Sequence, residues 1–189
     1  MKVTLTTAEM IMAGHIGIMR NASNSQGNGR MDAYGAEDGN PWGYHVLGAM
    51  GECAVAKAFN IYWNGSIGRY DADDVGPYQV RTRLRQHFRL ILHPRDADEK
   101  KFVVVFGVGP VFEIRGWCFA RTGKQKEYWQ DPSGKGRWAY FVPDGVLNDM
   151  STLLSAVYDD RAASSAPRSS QSQLFDDGYE DVSRDDIIP

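Results

Sequence analysis

Cysteine is scarce: Cys53 and Cys118 are the two in 189 residues, too few and too isolated for a disulfide framework or a zinc ribbon. Each sits among apolar neighbours, so both are expected as buried free thiols. Long apolar runs are missing as well. The longest, from Phe102 to Phe106 and on to Ile114, is broken by glycines, a proline and Glu113, well short of the roughly 20 residues of a membrane span. No membrane partner is expected. The opening Met1-Lys2-Val3-Thr4 reaches Glu9 and His15 without the charged, apolar and small-residue regions of a signal peptide, so an intracellular, cytoplasmic chain is expected. No internal repeat is visible.

Charge of one sign is lacking overall, since the net charge is only -3, yet its distribution is uneven. From Ala163 to Pro189 two arginines stand against six acids, a local -4 that leaves residues 1 to 162 at +1. Between Gln79 and Lys101 seven basic residues outnumber three acidic ones, a local +4. This stretch is either a solvated strand face or one turned to a polyanion. Arg83, Arg85 and Arg89 are its candidate nucleic-acid contacts.

Thr6-Thr7-Ala8-Glu9 fits a capping box, and apolar residues follow at helical spacing, which predicts a first helix to about Asn21. Residues 22–41 are rich in Asn, Gly, Ser and Asp and read as a long flexible loop. Trp42 to Phe59 reads as a second helix behind Pro41, with Gly48 and Gly51 marking a closely packed side. Beyond Asn60 the period shortens. Tyr78–Arg83, Phe88–His93, Phe102–Phe106, Val111–Phe119 and Trp138–Val142 read as strands, with Gly109-Pro110 in a hairpin loop. Asp144 to Ala162 returns to helical spacing with Asp144 as cap. The expected fold is α+β, a central mixed sheet flanked by helices in one domain over 1–162. A disordered acidic tail follows over 163–189.

Three pieces lie in a suggestive order. Glu52 stands in the glycine-bearing second helix, Asp74 in Asp73-Asp74-Val75-Gly76, and Gln79-Val80-Arg81 on a strand, where alternation points Gln79 and Arg81 to one face and Val80 into the core. Asp74 is chosen over Asp71 and Asp73 because its Asp-Val-Gly leads most directly into the strand.

This pattern resembles the PD-(D/E)XK nuclease superfamily, and the order of elements over residues 42 to 155 is similar to small phage-type members. The resemblance implies a restriction-endonuclease-like fold and a metal-dependent DNA nuclease, plausibly phage-encoded, in which Glu52, Asp74 and Gln79 hold Mg²⁺ or Mn²⁺. Arg81 stands where the family has lysine, and Gln79 where it usually has an acid. A guanidinium stays protonated near neutral pH, so Arg81 would orient or stabilise a phosphate and not act as a base. Glu52, Asp74, Gln79 and Arg81 are the expected catalytic set. The alternative is a catalytically impaired nuclease-fold protein serving as a nucleic-acid-binding or protein-interaction module in phage replication or counter-defence.

Outside that set, His87 and His93 carry no assigned chemistry, and Trp117 is expected in the core. Trp129 and Trp138 either pack or stack on bases. The terminal Asp185-Asp186-Ile187-Ile188-Pro189 is similar to the acidic ends of bacterial single-stranded-DNA-binding proteins, without their final aromatic. The tail is either a plain solubilising segment or a candidate protein-docking one.

Overall fold

The chain is described by a computed structural model over residues 1–26, 41–68, 72–85 and 87–155. The capping box forms: the Thr6 amide donates to Glu9 Oε2 at 2.6 Å and the Glu9 amide to Thr6 Oγ1 at 3.2 Å. It starts α1 (Thr7–Gln26), which continues past Asn21 and takes the first residues of the expected 22–41 loop into the helix. The buried Asn21 and the half-buried Ala22 hold the helix against the body at the point where the extension begins. The rest of that loop, 27–40, lies outside the described residues. Then comes α2 (Pro41–Phe59), placed as the sequence predicts. The two helices cross at Gly17, where a Cβ would overlap the backbone of Val46.

Seven strands occur among the described residues. β1 (Lys2–Thr4), β2 (Tyr78–Arg83), β4 (Lys101–Gly107) and β5 (Val111–Phe119) form a mixed sheet in the order β1-β5-β4-β2. β2 runs parallel to β4 with Gln79 opposite Phe102 and Arg81 opposite Val104, while β5 runs antiparallel to both β4 and β1. β3 (Leu90–Leu92), β7 (Ala139–Val142) and β6 (Trp129–Gln130) form a separate antiparallel sheet. The expected single sheet is therefore two. The short strands β1 and β6 were not predicted from sequence, being too brief to show a period.

The mixed sheet buries both faces, and the two faces meet different layers. Val80, Val103, Val105, Phe112 and Ile114 pack with α1 and α2. Phe102, Val104 and Cys118 pack with Leu90, Leu92 and Val142 of the second sheet. Helices flank the mixed sheet on one side, and the small sheet takes the place expected for helices on the other. A short helix α3 (Ala120–Gly123) and a 3₁₀ turn at Lys126–Tyr128 connect β5 to β6. Both cysteines are buried and free, as expected, and burial pushes each thiol up to about 11.

The final helix differs from expectation. Asp144–Val146 is a 3₁₀ turn, and helix resumes only at 150, described to 155. Asn148 is held extended by mutual backbone hydrogen bonds with Trp117, at 2.7 and 3.1 Å, so helix cannot run through it. Asp149 caps the start, accepting from the Ser151 amide at 2.7 Å. Trp117 is only partly buried against the core. The acidic tail lies outside the described residues, and no described helix is long and apolar enough to cross a membrane.

Gly51 is the closest approach of α2 to β2: a Cβ there would run into Thr82 Oγ1 and lie 3.0 Å from its Cβ and Cγ2. Gly48, by contrast, faces open space. Gly51→Ala is therefore expected to destabilise the protein by about 1–3 kcal/mol through overpacking, despite its better helix propensity. Thr82→Ala in the same chain should recover most of that loss, which a double-mutant cycle of thermal melts measures.

Candidate functional site

The sequence from Asp74 to Tyr78 folds back as a tight turn. Tyr78 donates its amide to Val75 and accepts from the amides of Asp74 and Val75, at 3.0 to 3.1 Å, with Gly76 supplying a φ of +53°. The turn places the Asp74 carboxylate against the edge of β2, where its Oδ2 accepts the Val80 amide at 2.7 Å. β2 is an edge strand, so that amide has no strand partner on the outer side. Burial along β2 alternates as expected, Tyr78 and Val80 inward to α2, Gln79 and Arg81 half-buried on the opposite face.

Glu52 comes from α2 and is 5% exposed. Both its oxygens are taken by the fork of Arg20 on α1, Nη1 to Oε1 at 2.5 Å and Nη2 to Oε2 at 2.8 Å. Trp63 Nε1 donates a third hydrogen bond to Oε2 at 3.1 Å. Arg20 Nε in turn donates to Ser66 O at 2.8 Å. Burial opposes the Arg20 charge, but the Glu52 bonds and charge, with help from Asp74, hold its pKa above the ordinary value.

Arg81 sits looser. Its Nη1 lies 3.6 Å from Asp74 Oδ2 and 3.1 Å from Val80 O, and its guanidinium stacks 4.8 Å from the centre of the Phe102 ring. Its side chain remains 32% exposed. Gln79 turns to a different acid. Its Nε2 donates to Asp73 Oδ1 at 2.8 Å, and Lys100 grips both oxygens of Asp73 at 2.6 and 2.8 Å. The structure thus brings Glu52, Asp74 and Arg81 into one electrostatic cluster and assigns Gln79 to a neighbouring clasp. Asp71 lies outside the described residues.

Of the expected nucleic-acid contacts, Arg83 is corrected. It is buried, bonded to Phe88 O and paired with Asp144 at 2.9 and 3.4 Å, so it locks β2 to the 3₁₀ turn and cannot meet a phosphate. The same pair explains why Asp144 is not a helix cap. Arg85 and Arg89 are exposed, Arg85 with its guanidinium 5.7 Å from the centre of the Phe88 ring. Arg20, Trp63 and Lys100 were not singled out from sequence.

A resident divalent cation is implied by the resemblance, and the donors can be tested against it. They are hard oxygens, right in kind for Mg²⁺ or Mn²⁺. They are wrong in disposition. Glu52 is closed by a bidentate guanidinium, the Gln79 amide is turned to Asp73, and Glu52 and Asp74 are balanced charge for charge by Arg20 and Arg81. No group of three His, Cys, Asp or Glu among the described residues is placed to hold a metal. The arrangement does not fit a divalent ion as it stands. Comparisons with family models, curated proteins and solved structures find no match to this chain.

Asp74 is the least comfortable member of the cluster. Burial, and then the Glu52 charge, push its pKa up to about 6 against the opposing pull of Arg81, the Val80 amide and Arg20. The native state therefore holds a proton that the unfolded chain, near 3.8, has released. Asp74 contributes stability on the acid side of this window and loses it as pH rises through about 6. Asp74→Asn keeps an acceptor for Val80 and removes the buried charge. Its melting temperature should exceed wild type by a few degrees at about pH 8, on the order of 1–2 kcal/mol, and the gain should vanish by about pH 4. Melting curves that run parallel at all pH values would refute this.

Proposed function

We propose that the cluster at the β2 edge binds phosphate groups of nucleic acid on a restriction-endonuclease-like scaffold, and that the protein acts as a DNA-binding module in which phosphodiester cleavage is impaired. The observation that carries this reading is the closed Arg20–Glu52 pair. A carboxylate held by a buried guanidinium fork serves as a counter-ion, because releasing it would leave a buried cation unpaired. Arg81, by contrast, keeps its charge loosely engaged and part of its surface open, and its planar fork suits a phosphate bidentately. Arg85 and Arg89, exposed beyond the end of β2, extend positive charge from it.

On this reading Asp74 and a nucleic-acid phosphate compete for Arg81. The family resemblance in the order of α2, Asp74 and β2 supports the scaffold, and the glutamine and arginine of Gln79-Val80-Arg81 support the loss of metal chemistry. A second reading, metal-dependent cleavage, is favoured by one observation: carboxylates from α2 and from the approach to β2 converge closely enough for Glu52 to perturb Asp74. That reading requires Arg20 to release Glu52.

Fluorescence anisotropy with short single- and double-stranded DNA tests the first reading. Arg81→Ala should weaken binding about tenfold and reduce the salt slope by about one, the signature of a lost phosphate contact. Affinity unchanged by Arg81→Ala, or indifferent to salt, would refute it. Incubation with Mg²⁺ or Mn²⁺ decides the second. Cleavage abolished by Asp74→Ala and by Glu52→Ala in folded variants would establish the nuclease reading, and Arg81→Lys would then be expected to raise the rate.

A further inference from the structure

The segment between β2 and β3 turns outward and is anchored at both ends. Leu84 packs against the core under α1 and α2, and Leu90 is fully buried in the core between the two sheets. Between them Arg85, His87, Phe88 and Arg89 are all exposed. The backbone is pinned on both sides of one residue. The Phe88 amide donates to Arg85 O at 3.1 Å, and the Phe88 carbonyl accepts from Nη1 of the buried Arg83, which Asp144 fixes in turn. A buried, paired guanidinium thus has a second task, holding the carbonyl of an exposed residue.

Phe88 is the side chain that this arrangement displays. His87 meets its ring edge to face, centroids 4.9 Å apart, and the Arg85 guanidinium stands 5.7 Å from its centre, yet Phe88 stays 41% exposed. An exposed ring by itself needs no explanation. What distinguishes Phe88 is its company. Residues 84–89 contain no acid, and the acid brought to the turn, Asp144, is taken by Arg83. Among the described residues neither Arg85 nor Arg89 enters an ion pair. Two uncompensated guanidiniums therefore flank a solvent-facing ring on a backbone that is already fixed.

That combination takes a nucleotide by both its parts, the guanidinium its phosphate and the ring its base. Stacking requires a base whose face is open. In a duplex the neighbouring pairs cover each face, whereas the bases of a single strand can be splayed onto an aromatic side chain. Four residues of chain separate Arg81 from Arg85, which with the turn puts Phe88 at most about 20 Å from Arg81, so one strand can lie along both.

We propose that the turn from Arg85 to Arg89 is a base-stacking contact that selects single-stranded DNA, with Phe88 against the face of an unpaired base and Arg85 and Arg89 on the flanking phosphates. The proposal rests on the nucleic-acid reading of the β2 edge and names the form of DNA that it takes.

Fluorescence anisotropy of the full chain with short single-stranded DNA and the matching duplex, at several salt concentrations, tests this. Single strands should bind more tightly. Phe88→Ala removes a solvent-facing ring and leaves the backbone bonds in place. It should weaken single-strand binding about tenfold with the salt slope unchanged, because a ring neutralises no phosphate. Phe88→Trp should retain wild-type affinity, and Arg85→Ala should instead lower the slope by about 0.7. Duplex affinity should not respond to Phe88→Ala, and circular dichroism should match wild type throughout. Single-strand affinity that ignores Phe88→Ala while still falling on Arg81→Ala overturns the stacking contact and leaves the β2-edge reading standing. Equal losses on duplex and single strand overturn the selectivity, being the mark of a wedge driven into a duplex. So does a wild-type chain that prefers duplex. A wild-type chain that binds neither form overturns both readings and leaves the two arginines to an acidic protein partner.

Discussion

Arg20 reaches from α1 to Glu52 on α2 and, through Nε, to Ser66 in the segment beyond α2, so one guanidinium ties three parts of the chain together. Removing two charges from water is expensive, and the pair recovers that cost only because its geometry is bidentate and Trp63 satisfies a further lone pair. Either partner alone would be a buried, uncompensated charge. This makes the pair a constraint more than a source of stability. It fixes the rotation of α1 on α2, and it decides how much negative charge the β2 edge can present.

That edge follows from the constraint. With Glu52 held in its pair with Arg20, burial and the nearby Glu52 charge together raise the Asp74 pKa to about 6. Two adjacent acids divide the work of the turn. Asp73 holds Gln79 and Lys100, while Asp74 caps the Val80 amide and stands beside Arg81. On α1 the two charges are used differently, Arg20 buried against Glu52 and Glu9 paired with Lys57 at the surface.

Much of this architecture was legible from local rules. The capping box, the start of α2 near Pro41, the ends of β2 and β5, and the alternation of Gln79, Val80 and Arg81 all follow from chemistry within a few residues of each position. What escaped was set by distance along the chain. Arg20 and Glu52 are 32 residues apart, and Arg83 and Asp144 are 61 apart. No periodicity links such pairs, so Arg83 read as a phosphate contact and Asp144 as a helix cap when each was the other's partner. The helix expected from Asp144 was likewise interrupted by a long-range backbone exchange with Trp117. The order of Glu52, Asp74 and the β2 strand is read directly along the chain, but that order could not show that the Glu52 carboxylate is already occupied.

Arginine at position 81 gains meaning from its surroundings. A lysine on that strand would present a compact ammonium whose pKa burial can lower, leaving a group able to take a proton. Arg81 cannot do so, and its flat guanidinium lies over Phe102, a ring buried between the two sheets. That contact and the 3.6 Å approach of Nη1 to Asp74 Oδ2 still leave the side chain 32% exposed. Arg81 therefore keeps a charge that its neighbours engage only loosely, and Gln79, turned to Asp73, braces the turn that Lys100 also grips. Both arrangements depend on the period-two alternation that put the two side chains on the same face of β2.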